Sequence, residues 1–212
     1  YPVSQPLSPV STVGLVPLQL PLFYQGQSET AALRWDAEWS ERFFTAAEYQ
    51  NVRFSDMLLD VPDLRGWFDT SHGEIDRISI SANYWVGGGL GIFGSFTWND
   101  SKDTTPFTGG GNSVPLVPDY VGQVGFTYVH PSRVTLTVAQ TFVGERVGAQ
   151  YMDNGTPFVI ALDSYSTTDA ALSWKSESGH LEIALKLLNA FDEDIEMALG
   201  IPAPGRTFLA TM

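Results

Sequence analysis

The chain predicts an all-β fold, an antiparallel sheet forming the wall of a transmembrane barrel. Three observations carry that prediction: side chains alternate with period two, tight turns alternate with long links, and aromatic residues gather at strand ends. In Ala31 to Ser40 the odd positions are Ala31, Leu33, Trp35, Ala37 and Trp39, while the even ones include Arg34, Asp36 and Glu38. A helix does not sort residues this way; a strand with one apolar face does. Ile78, Ile80, Ala82 and Tyr84 alternate with Ser79, Ser81 and Asn83, and Leu90, Ile92, Gly94, Phe96 and Trp98 with Ser95, Thr97 and Asn99. Tyr120 to Tyr128, Val134 to Phe142 and Leu181 to Leu187 repeat the pattern. Each segment is about ten residues long, the length a tilted strand needs to cross a bilayer.

Tight links fall between Trp39 and Phe43, around Gly87-Gly88-Gly89, at His130-Pro131-Ser132 and at Ser176-Glu177-Ser178-Gly179. Between them lie long polar links at residues 56–74, 100–118, 144–164 and 192–205. Strict alternation of this kind places short turns on one side of a membrane and long loops on the other. Trp35, Trp39, Phe43, Tyr49, Tyr84, Trp85, Trp98, Tyr120, Tyr128, Tyr165 and Trp174 stand near strand ends, where an aromatic girdle belongs. About nine strands are expected. The Pro-rich lead, residues 1–28, adds room for a loop or one further strand around Val13 to Tyr24, and residues 29–212 form the barrel portion. Its prolines at 2, 6, 9, 17 and 21 bar a helix through that lead.

The net charge of −13 argues against nucleic acid, whose phosphates need a basic face. Cysteine is absent, which removes thiolate metal sites and disulfides. Gly89-Leu90-Gly91-Ile92-Phe93-Gly94 matches a dinucleotide fingerprint, but that motif works only when a helix follows, and Ser95-Phe96-Thr97-Trp98 continues a strand. His72, His130 and His180 lie apart in predicted links, without a partner at ligand spacing. Asp192-Glu193-Asp194 lacks the calcium-loop register. No catalytic constellation, metal site or cofactor is expected, and the protein is read as not an enzyme.

Polar residues inside membrane-length segments must face an interior, because a lipid-facing Arg or Lys costs about 2–4 kcal/mol near the midplane. Arg34, Asp36, Glu38, Glu48, Gln50, Arg77, Asn83, Lys175, Glu182 and Lys186 are therefore assigned to the lumen. Loops on a rigid scaffold are where recognition concentrates. Trp67, Phe68, Asp69, His72, Tyr151, Asp153 and Asn154 are the candidates for touching an incoming ligand.

The last third resembles the C-terminal end of TonB-dependent outer-membrane receptors. Leu187-Leu188-Asn189-Ala190-Phe191-Asp192-Glu193-Asp194 resembles that family's segment before the last outside loop, and Pro204-Gly205-Arg206-Thr207-Phe208 the opening of its last strand. Pro115-Leu116-Val117-Pro118-Asp119-Tyr120 and Val143-Gly144-Glu145-Arg146 sit where such receptors carry similar segments, so the resemblance covers residues 29–212. It implies a barrel of about 22 strands filled by a plug. It also implies uptake of a scarce nutrient, commonly an iron chelate, driven by TonB from the inner membrane. The chain offers fewer than half those strands and no plug-forming stretch, so it reads as the C-terminal portion of such a barrel. Its expected partners are outer-membrane lipid and lipopolysaccharide, the remaining strands and plug, and, by resemblance, TonB. Two alternatives stay open at this point: a small autonomous outer-membrane barrel with a structural, adhesive or export role, and a soluble secreted β-protein.

Overall fold

In the computed structural model, residues 26–56, 71–105, 113–153 and 156–212 are described. The chain forms β1 (Gln27–Ser40), β2 (Phe43–Ser55), β3 (Gly73–Gly87), β4 (Leu90–Asp103), β5 (Tyr120–His130) and β6 (Val134–Val143). A hairpin of β7 (Arg146–Asp153) and β8 (Thr156–Leu162) follows, then β9 (Tyr165–Lys175) and β10 (Glu182–Leu188). A short hairpin of β11 (Glu196–Ala198) and β12 (Ile201–Pro202) precedes β13 (Thr207–Thr211). Nine strands join one antiparallel sheet in the order β1-β2-β3-β4-β5-β6-β9-β10-β13, with β7-β8 and β11-β12 as separate two-stranded ribbons. The expected turns are present. At the glycine triplet Gly87, Gly88 and Gly89 all have positive φ, at 110°, 62° and 89°, a backbone that side chains with a Cβ resist. A Cβ on Gly89 would stand 2.1 Å from the Val129 carbonyl oxygen.

Register converts the period-two pattern into two faces, because in an antiparallel pair directly opposed residues share a side. One row across five strands holds Leu33, Tyr49, Ile78, Trp98 and Tyr120. The next holds Trp35, Ala47, Ile80, Phe96, Gly122 and Phe142. Toward the tight turns come Phe43, Tyr84, Ile92, Phe126, Val138, Ala170, Leu187 and Phe208. This face is bare: Leu33 is 74% exposed and Ile80 54%. On β5 the apolar face runs from Tyr120 to Tyr128, roughly 27 Å along the strand at about 3.4 Å per residue. A tilt of about 40° brings that to roughly 20 Å of height, near the ~25 Å apolar band of a barrel in a membrane.

Buried apolar packing sits at the loop end of the other face. Phe54, Ile75, Val114 and Val117 form a small cluster, joined by Val52, where residues 113–119 fold over the ends of β2 and β3. Elsewhere the sheet is a single layer. One expectation changes in detail and another holds. The links at 144–164 and 192–205 are not featureless, since each folds a hairpin, and apolar Phe158-Val159-Ile160-Ala161-Leu162 supplies β8. The fingerprint-like glycines lie in the turn and in β4, which continues as strand to Asp103. The lead strand expected around Val13 to Tyr24 lies outside the described residues.

Candidate functional site

All ten polar residues assigned from the sequence to an interior fall on the face opposite Leu33, Trp35 and Ile80. Arg34 pairs with Glu48 and Gln50 with Arg77. Asp36 and Glu38 alternate with Arg34 along β1. Asn83 lies opposite Phe44, Lys175 opposite Glu182, and Lys186 opposite Ala171. Serine and threonine fill the same face on later strands, with Ser79 and Thr97 hydroxyls 3.0 Å apart and Thr127 and Thr137 also 3.0 Å apart.

On β1 to β4 the polar side chains join into one chain. Arg34 Nη2 donates to Asp36 Oδ1 at 2.8 Å and its Nη1 lies 3.5 Å from Glu48 Oε2. Gln50 Nε2 donates to Glu48 Oε1. Arg77 then donates through Nη1 to Gln50 Oε1 at 3.3 Å and through Nε to Asn99 Oδ1 at 3.2 Å. Asn99 is buried, and its Nδ2 donates to the Pro118 carbonyl at 2.7 Å. A polar path thus climbs from mid-strand to the loop that covers the small core. Arg77 Nη2 is enclosed without a partner among the described residues. Glu38 and Asn83 flank the foot of this path; Lys175, Glu182 and Lys186 lie on the same face but on the distant strands β9 and β10, and do not join it.

The loop candidates divide. His72 stands just before β3, its carbonyl accepting from the Thr104 N–H at 2.9 Å. Its ring Nδ1 is hydrogen-bonded to Ser71 Oγ at 2.8 Å, and Nε2 lies 3.8 Å from Asp56 Oδ1. Tyr151 and Asp153 fall in β7 rather than in an irregular loop, with their side chains outside the described part. Trp67, Phe68, Asp69 and Asn154 also lie outside the described residues.

Two residues gain importance that sequence alone understated. Asn99 reads as one polar strand position among several, yet it carries the contact to Pro118. Arg146 belongs to the Val143-Gly144-Glu145-Arg146 segment, is 7% exposed, and sits over the Tyr165 ring at 5.2 Å. Burial pushes its guanidinium pKa down, with Tyr165 and Glu196 acting the other way. Its contacts come from segments distant in sequence, so no local motif announces them.

Among the described residues no group of three or more acidic or histidine side chains is placed to hold a metal ion. No helix there is long and apolar enough to cross a membrane, which says nothing of crossing by strands.

The profile of the family described as "TonB dependent receptor-like, beta-barrel" matches residues 26–190. Solved structures share the architecture. The ferric-catecholate import receptor Fiu from K12 E. coli aligns over 89% of this chain and 27% of its own, at 17% identity and a TM-score of 0.62. The ferric yersiniabactin uptake receptor FyuA from Yersinia pestis aligns over 88% of this chain and 28% of its own, at 18% identity and a TM-score of 0.61. The copper transporter OprC aligns over 85% and 31%, at 14% identity and a TM-score of 0.63. The chain therefore spans between a quarter and a third of the length of these structures. Comparison with curated protein sequences returns no match.

Proposed function

Because the chain belongs to the TonB dependent receptor-like, β-barrel family, we propose that it is wall for an outer-membrane receptor through which the complete protein takes up a scarce nutrient, such as an iron chelate. The observation that carries this reading is the two-faced register. Rows led by Leu33, Trp35 and Ile80 form an exposed apolar face, and rows led by Arg34 and Gln50 form a polar one. A surface of exposed Trp, Ile and Phe in water is an aggregation hazard; against lipid it is satisfied. Facing lipid, each Arg or Lys of the other face would cost about 2–4 kcal/mol near the midplane. In this reading the apolar face meets outer-membrane lipid and lipopolysaccharide, and Arg34, Asp36, Glu38, Glu48, Gln50, Arg77, Asn83, Lys175, Glu182 and Lys186 line the lumen. A plug within the lumen and drive from TonB enter through family membership.

The long links then face outward as the recognition surface, with His72 and the β7-β8 hairpin among its parts. Trp67, Phe68, Asp69, Tyr151, Asp153 and Asn154 remain ligand-contact candidates on sequence grounds. The related structures name iron chelates and copper as cargo of those proteins, which supports a metal-bearing nutrient here.

The test is growth and uptake in an iron-starved Gram-negative host lacking its own receptors and expressing the full-length protein. Radiolabelled ferric citrate, ferric enterobactin and copper(II) serve as probes. Accumulation of one probe that disappears when TonB is deleted is the expected result. Accumulation that persists without TonB, or none with any probe, sinks the reading.

A further inference from the structure

Three consecutive residues after β6 tie their own outside link to two others. The Glu145 carbonyl accepts from the Asp119 N–H at 3.1 Å, and the Val147 carbonyl accepts from the Leu116 N–H at 2.7 Å, so residues 113–119 are held on both sides of Arg146. Arg146 itself donates through Nη1 to the Asp163 carbonyl at 3.4 Å, in the link before β9. Its Nη2 donates to the carbonyl of Glu196, which opens the β11-β12 hairpin. We infer that Arg146 is a positioning residue that clamps these links into one preassembled body, so that the receptor proposed above meets its ligand with a fixed outer surface. The purpose assigned to that surface rests on the uptake reading; the clamp rests on geometry.

The chemistry favours a geometric role over simple charge pairing. No carboxylate lies within ion-pair distance of Arg146 among the described residues, whereas Arg34 has two and Arg53 and Arg133 one each. A buried cation held only by carbonyls and a ring face is expensive, and a guanidinium tolerates it best. It is weakly hydrated, stacks on aromatics and presents donors in a fixed planar fork. That fork suits two carbonyls on separate segments. Residues around the clamp are correspondingly closed in: Leu162 is 3% exposed, Ile195 8% and Ala198 6%. Leu116 is held at φ 63°, a backbone conformation that leucine adopts only when its surroundings impose it.

Amide hydrogen exchange on the full-length protein in bilayer nanodiscs, without any nutrient, tests the clamp. Arg146→Met keeps the apolar stem and removes the fork. Residues 113–119 and 195–203 are expected to exchange at least about tenfold faster, while β2 to β4 keep their protection. Arg146→Lys keeps the charge and loses the fork, and is expected to loosen the same two segments. Unchanged protection in Arg146→Met, loosening confined to β7, or full wild-type protection in Arg146→Lys overturns the inference. If Arg146→Met does not fold, Arg146→Lys decides alone. Since no nutrient is present, these outcomes leave the uptake test standing or falling by itself.

Discussion

Two faces of one sheet, built from the same residues of backbone, meet opposite demands. On one face Trp35, Ile80, Phe96 and Leu185 stand bare, with no second layer among the described residues to cover them. On the other, charged residues of the first strands find neighbours that answer them, as Arg34 does with Asp36 and Glu48. The apolar face is nearly uniform along its strands, Gln140 and Thr168 aside, and the polar face is not. Its β1 to β4 portion is an ionic and amide chain ending at Pro118, while β5, β6 and β9 carry hydroxyls and small residues. A surrounding solvent imposes uniformity; specific partners impose the differences between one strand and the next. The apolar face is shaped by a medium and the polar face by contacts.

The contrast can be broken most severely by moving a charge across it. Ile80→Arg is expected to destabilise the folded protein in phospholipid vesicles by about 2–4 kcal/mol. Ser81→Arg, one residue on and facing the other way, is expected to cost far less. Urea titration of the two variants, followed by tryptophan fluorescence, checks the difference, and equal costs contradict the assignment of faces. A smaller effect separates specific contact from mere polarity. Asn99→Leu removes the donor to Pro118 and the acceptor for Arg77, leaving both unmatched in a buried place. A loss of about 1–3 kcal/mol is expected, with residues 113–119 losing protection before the strands do. The smallest effect concerns an exception. Gln140 and Thr168 share a row with Ala37, Ala82, Gly94 and Val124 on the apolar face, and the Thr168 hydroxyl donates to Gln140 Oε1. Removing both ends together, Gln140→Leu with Thr168→Val, is expected to be neutral or slightly stabilising, whereas Thr168→Val alone leaves an unmatched amide and costs more. A double-mutant cycle in the same vesicles measures this.

Much of the architecture was legible before any coordinates, because a period of two depends only on the residue and its immediate neighbours. The placement of Arg34, Glu48 and Lys186 on one face follows from that alternation, and the tight turns from Gly87-Gly88-Gly89 and Ser176-Glu177-Ser178-Gly179. The hairpins inside the long links were missed. Strands of two to eight residues carry too little alternation to stand out, and loop composition masks them. Asn99 and Arg146 escaped for a different reason. Their meaning lies in carbonyl groups belonging to Pro118, Asp163 and Glu196, and a backbone carbonyl leaves no trace in residue identity. Gln140 shows the opposite error of pattern, a polar residue kept on the apolar face by a partner 28 positions away.

The order of the strands has a consequence in time. Every neighbouring pair from β1 to β6 is consecutive in the chain, as are β9 and β10. Such short-range pairings form quickly, because little chain entropy is surrendered before each one closes. The β6-β9 and β10-β13 seams are different: Val143 meets Tyr165 only after the β7-β8 hairpin has been passed, and Leu188 meets Thr207 only after the β11-β12 hairpin. Assembly therefore has natural late steps. The wall zips hairpin by hairpin from β1 to β6, and the outer hairpin that Arg146 begins must be paid out before β9 joins it.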